Sequence, residues 1–135
     1  MKTICIYVID DNADNRRQFN DLIEITWSGA DVRCFESVYD ASQAGASPDL
    51  VIIDVSSVAP LMMGDVAHAY GPIAKFMELH PGADIIILSA MGRNSVYEVV
   101  DDVKRITQRE NVFYGGWGSW EPLEKMIKQT LDLKK

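Results

Sequence analysis

The sequence predicts an α/β protein: a doubly wound, five-stranded parallel sheet of order 2-1-3-4-5, with helices on both faces in a three-layer sandwich. Three observations predict it. Leu50-Val51-Ile52-Ile53 is an apolar, mostly β-branched run directly after the turn signal Ser47-Pro48-Asp49, the pattern of a strand buried on both faces. Two further runs, Ile4–Ile9 and Ile85–Leu88, have the same character. Segments with helical spacing of apolar residues separate the runs, and right-handed crossovers then wind the sheet in both directions.

Taken in order, Lys2–Ile9 is the first strand. Asn12-Ala13-Asp14 opens a helix that reaches about Trp27. Asn12 or Asp14 caps it, and Phe19, Leu22, Ile23 and Trp27 recur at helical spacing. Ser28-Gly29 stops it. Ala30–Phe35 is the second strand, short and polar enough for a sheet edge. Glu36–Ala46 is a short helix with Val38 and Ala41 inward and Gly45 near its end. Leu50–Asp54 is the third strand, and Val55–Gly64 a loop containing Pro60, Met62 and Met63.

Asp65–Leu79 is the next helix, and Gly71-Pro72 inside it predicts a kink or a break. His80-Pro81-Gly82 turns the chain into the fourth strand, Ala83–Leu88. Arg93–Gln108 is a helix with Val96, Val99, Val100, Val103 and Ile106 on one face. Asn111–Tyr114 is the fifth strand and Gly115-Gly116-Trp117-Gly118 a loop. Ser119 caps a last helix over about Trp120–Leu133, with Glu121 and Glu124 near its positive end. No repeat, linker or low-complexity segment interrupts this alternation, so 1–135 reads as a single domain of ordinary size.

Composition narrows the function. Hydrophobic residues make up 47% and charged residues 24%, as expected of a soluble globular protein. A formal net charge of −7 argues against non-specific binding to nucleic acid or to anionic membranes, which need basic surface. It suits a cation site or a basic partner. Cys5 and Cys34 fall in predicted strands and read as reduced, buried thiols, which fits a cytoplasmic protein. The chain enters a strand at once without a signal peptide, and no apolar run reaches about 18 residues.

The chemistry sits where the strands end. The first run stops on Asp10-Asp11, the third on Asp54 and the fourth on Ser89. In an open parallel sheet ligands bind outside the carboxyl ends of the strands, and the predicted order sets strands one and three side by side at the switch point. Three carboxylates gathered there repel one another unless a cation joins them. Hard oxygen ligands with room for water suit Mg2+ better than zinc or copper. Beside such an ion Asp54, on the central strand, is best placed as a nucleophile toward phosphorus, and Ser89 as a hydroxyl on the transferred group.

The sequence here resembles the response-regulator receiver domain of two-component signalling. The resemblance spans essentially the whole chain. It rests on Val8-Ile9-Asp10-Asp11-Asn12, Ile52-Ile53-Asp54, the stretched loop from Pro60 to Gly64, and Leu88-Ser89-Ala90. It implies the flavodoxin-like (CheY-like) form of the fold. It implies that Asp10, Asp11, Asp54 and the backbone carbonyl of Ser56 hold Mg2+, with Asp11 the more direct ligand of the acidic pair. Asp54 would accept phosphate from a histidine kinase or phosphotransfer protein. Ser89 would follow the phosphoryl group, with Phe113 or Tyr114 as the coupled aromatic rotamer. Trp117 and Trp120 flank a glycine-rich loop where receivers meet partners, and they read either as partner contacts or as local packing.

The sequence departs from the family at one important place. The family carries a lysine at the end of strand five. Tyr114-Gly115-Gly116-Trp117 stands there instead, and Gly116 is the closest counterpart. Met63 also stands where the family often has an acid. The expected function is therefore a stand-alone, atypical receiver, monomeric or weakly dimeric. Its output would come from contact with a downstream protein partner or from passing phosphate on, because the chain ends one helix after strand five. The alternatives are a receiver-like interaction module that works without phosphorylation and, further off, a small Mg2+-dependent phosphohydrolase using Asp54. Arg16-Arg17 reads as solvated, and His68 and His80 as structural or surface residues.

Overall fold

The structure is a computed structural model, and it describes residues 3–54, 75–89, 104, 112–116 and 120–132. Five parallel strands form one sheet in the order β2-β1-β3-β4-β5: β1 (Cys5–Ile9), β2 (Asp31–Phe35), β3 (Leu50–Asp54), β4 (Asp84–Ser89) and β5 (Val112–Gly116). Helix α1 is Ala13–Thr26 and α2 is Val38–Ser42, residues 75–79 are helical, and a last helix covers Trp120–Asp132. The architecture and strand order are those predicted.

Alternate residues of the central strands feed two separate cores. Cys5, Tyr7 and Ile9 of β1, Val51 and Ile53 of β3, and Ile85 and Ile87 of β4 pack against Val38 and Ala41 of α2 and against Phe76 and Met77. Ile6, Val8, Leu50, Ile52 and Ile86 pack on the other face, against Phe19 and Ile23 of α1 and Leu123, Ile127 and Leu131 of the last helix. A period-two strand between two helical layers has no polar face, so the run reads as continuously apolar. Each buried isoleucine contributes about 1.5–3 kcal/mol.

Local chemistry sets most boundaries. The Asn12 side chain accepts the Asn15 N–H at 3.1 Å and caps α1. Gly29, at φ +96°, turns the chain out of the helix into β2, a conformation that costs glycine little. His80 accepts the N–H of Ala83 on its carbonyl, at 3.2 Å, at the predicted turn.

Several expectations are corrected. α2 spans Val38–Ser42 rather than Glu36–Ala46. Ser37 caps it by accepting the Asp40 N–H at 3.1 Å, so Glu36 lies outside. At the other end the N–H groups of Gln43 and Ala44 reach back three residues, the tightened pattern of a terminating helix. β5 runs through Gly115 and Gly116, which were expected in a loop: backbone pairing of Leu88 with Gly115 and Ser89 with Gly116 overrides the weak strand propensity of glycine. Smaller shifts affect β1, which begins at Cys5, and β4, which covers Asp84–Ser89. Both cysteines are free and Cys5 is buried, but Cys34 is half-buried because it lies on the edge strand.

Tyr7 shows how closely the lower core is tied. It is fully buried, donates its hydroxyl to the Ala46 carbonyl at 2.8 Å, and meets Phe35 edge-on at 4.8 Å. Tyr7→Phe keeps the ring and leaves that carbonyl without this donor. The expected cost is about 1–2 kcal/mol in urea unfolding, with an unchanged m-value. A cost near zero would mean that the bond is replaced.

Candidate functional site

Register brings the acids together. Ile9 of β1 pairs with Ile53 of β3, so Asp10 and Asp54 follow side by side at the carboxyl edge. Asp10 is fixed further by donating its N–H to the Phe35 carbonyl at 3.0 Å, one step beyond the β1–β2 ladder. One carboxylate oxygen each of Asp10, Asp11 and Asp54 lies within 4.8 Å of the others. Asp10 is buried, Asp54 half-buried and Asp11 exposed. The site is thus closed at its base and open at its rim.

Asp10 is held from several directions. One carboxylate oxygen accepts the Asn12 N–H at 2.9 Å, and the other accepts Nδ2 of Asn15 at 3.3 Å. Its carbonyl accepts Nη1 of Arg16 at 2.7 Å. Arg17, by contrast, is exposed and pairs with Asp14 at 2.8 Å. The expectation of a solvated Arg16-Arg17 pair therefore holds for Arg17 alone. Arg16 sits half-buried because the first turn of α1 packs over the end of β1, which no periodicity reports. Asn15 was also missed. Its position is the third after the cap, where a polar side chain commonly reaches back across a helix start, and that signal could have found it.

Burial pushes the Asp10 carboxyl above its ordinary value. The Asn12 hydrogen bond opposes the shift, Asp54 adds to it, Asn15 opposes it and Asp11 adds to it. In the unfolded chain this carboxyl titrates lower. Its protonation therefore favours folding at low pH, and that contribution is lost as pH rises through the raised value. Asp10→Asn, permanently neutral, is expected to melt higher than the parent at about pH 7 without divalent ions. Its advantage should shrink on acidification toward about pH 4. An advantage that stays constant with pH would place the penalty elsewhere.

The remaining predicted residues divide cleanly. Ser89 closes β4 one row beyond Leu88, the partner of Asp54, and Gly116 of β5 lies opposite Ser89. Phe113 and Tyr114 occupy β5 opposite Ile86 and Ile87, and Trp120 opens the last helix. For these residues only the backbone position is described. Ser56, Pro60, Met62, Met63, Gly64, His68, Gly71, Pro72, Arg93, Trp117 and Ser119 lie outside the described residues. So do the predicted helix of Arg93–Gln108, apart from Lys104, and the part of Asp65–Leu79 before Lys75. His80 is half-buried, with its ring 4.8 Å from that of Phe76, as a structural histidine would be.

No protein-family model matches the chain, and a search of curated proteins finds no relative in sequence. Solved structures do match it in shape. A response regulator from Thermotoga maritima is 16% identical over 97% of this chain and 99% of its own, with a TM-score of 0.71. The signal receiver domain of an HD domain-containing protein from Pseudomonas fluorescens Pf-5 is 14% identical, with coverage of 97% and 96% and a TM-score of 0.72. The BeF3-activated receiver domain of DrrB, a Thermotoga maritima protein, is 16% identical, with coverage of 97% and 99% and a TM-score of 0.68. The chain has the receiver-domain fold. At such identities the likeness shows the fold alone. Among the described residues, no helix is long and apolar enough to cross a membrane.

Proposed function

We propose that residues 1–135 form one receiver-type signalling domain that accepts a phosphoryl group on Asp54. The single observation that carries this reading is the gathering of Asp10, Asp11 and Asp54 within 4.8 Å at the carboxyl edge of a receiver fold. The donor set fits Mg2+: three hard carboxylates, one of them exposed, with space for water at the rim. When bound, Mg2+ neutralises charge on the transferring phosphoryl group. Asp10, Asp11 and Asp54 would hold it, with the Ser56 carbonyl as the further protein ligand. An Asp54 oxygen bonds to phosphorus as the bond from phosphorus to the donor breaks, and the donor leaves with that electron pair. Ser89 is proposed as the hydroxyl that follows the product, with Phe113 or Tyr114 responding to it.

The donor in this reading is a histidine kinase or phosphotransfer protein, and the output is contact with a downstream protein through the region of Trp117 and Trp120. The chain acts as a phosphoacceptor module, at most catalysing its own phosphotransfer and dephosphorylation. It works in the cytoplasm as a monomer or weak homodimer, without nucleic acid or membrane. One observation favours a second reading, an interaction module that needs no phosphorylation. β5 ends in Gly115-Gly116, so no side-chain cation stands there to contact a phosphoryl group.

Acetyl phosphate with Mg2+ tests the first reading: intact mass should show one added phosphoryl group. Millimolar Mg2+ should also raise the melting temperature of the parent by a few degrees, and much less that of Asp11→Ala. Equal shifts in the two proteins would reject the metal site. Binding of Mg2+ without labelling would favour the interaction module.

A further inference from the structure

The two asparagines at the start of α1 do more than cap the helix. Asn12 uses its side chain for the cap, accepting the Asn15 N–H, and its own N–H for one oxygen of Asp10. Asn15 gives its N–H to that cap and its side-chain amide to the other oxygen of Asp10. Both carboxylate oxygens of a buried aspartate are thus engaged by the same helix turn, while Arg16 holds the carbonyl of the same residue. Nothing about capping requires the Asn15 side chain to point at Asp10.

We propose that Asn15 is a positioning residue whose amide, with the Asn12 N–H, locks the Asp10 carboxylate in one orientation and thereby makes the carboxylate cluster selective for Mg2+ over Ca2+. This rests on the metal-binding reading given above. The reason lies in how the two ions use carboxylates. Mg2+ is small and demands near-octahedral geometry with single oxygens and water. Ca2+ is larger, tolerates irregular geometry and readily takes both oxygens of one carboxylate. A carboxylate oxygen has two acceptor directions. With an N–H on each oxygen, the plane of the Asp10 carboxylate is fixed. A fixed carboxylate suits the regular geometry that Mg2+ demands and cannot swing to adapt to a larger ion. Partners that orient a ligand in this way typically carry about 10–100-fold in metal affinity.

The test is the dissociation constant for Mg2+ and for Ca2+, each titrated alone and read from amide NMR shifts. The proteins are the parent, Asn15→Ala, Asn15→Asp and Asn15→Gln. Asn15→Asp is nearly isosteric but lacks the donor, and its added charge attracts both ions. The ratio of the two constants is therefore the readout. Mg2+ affinity should fall about tenfold in Asn15→Ala while Ca2+ affinity stays within about threefold. The Mg2+ preference should also collapse in Asn15→Asp and largely return in Asn15→Gln, which restores an amide donor. Melting temperatures separate a folding defect from a change at the site. A parental ratio in both Asn15→Ala and Asn15→Asp, or an equal loss for both ions, would overturn the clamp and leave the metal reading standing. Failure of the parent to bind Mg2+ would overturn both.

Discussion

Asp54→Asn is expected to abolish phosphoryl labelling and, in the absence of metal, to raise the melting temperature. Asp54 ends the central strand β3 and shares its pocket with Asp10 and Asp11. An amide cannot act as the nucleophile, so the expected loss is complete rather than partial. The stability gain follows from the neighbours. Asp54 adds to the upward push on the buried Asp10 carboxyl, and removing its charge relieves that repulsion. A gain of about 1 kcal/mol corresponds to a rise of roughly 4 °C in a domain of this size. Addition of Mg2+ should narrow the gap between variant and parent, because the variant gives up one anionic ligand. Intact mass after acetyl phosphate and parallel melting curves measure both effects. Labelling of Asp54→Asn at the parental rate would move the nucleophile elsewhere and sink the proposed function.

Gly116→Lys is expected to accelerate labelling by tenfold or more, where the parent labels slowly. A cation beside the phosphoryl oxygens stabilises charge that develops in the transition state, and losing one comparable contact costs about a hundredfold in other enzymes. The register assigns Gly116 to the row of Ser89 and Gly115 to the row of Asp54 and Leu88. Both rows reach the carboxyl edge, so Gly115→Lys is the paired experiment. Successive strand residues face opposite sides of a sheet, and only one of the two lysines should therefore help. Both glycines lie within β5, where a side chain is ordinarily accepted. Melting temperatures detect any cost of insertion. If the parent already labels quickly and neither lysine changes the rate, another group supplies the charge, and the glycine pair carries no functional penalty.

The sequence by itself determined the sheet. Burial of apolar surface is non-directional and scales with area, so it leaves a pattern that local reading detects. Leu50–Ile53 and Ile85–Leu88 announce strands covered on both faces, and the spacing of Phe19 and Ile23 announces the helix that covers one of them. The convergence of Asp10, Asp11 and Asp54 was legible too, because each acid interrupts an apolar run at its end and the doubly wound strand order makes β1 and β3 neighbours.

Tertiary structure alone decided what those acids touch. A hydrogen bond depends on direction and on a few tenths of an ångström, and both are set by how α1 seats on the sheet rather than by the residues' own preferences. Arg16 reads as a surface cation until that seating carries it to the Asp10 carbonyl. Asn15 reads as an ordinary helix residue until its amide is found on the Asp10 carboxylate. The continuation of β5 through Gly116 has the same origin. Backbone pairing with Leu88 and Ser89 of β4 outweighs a local propensity worth under about 1 kcal/mol per residue.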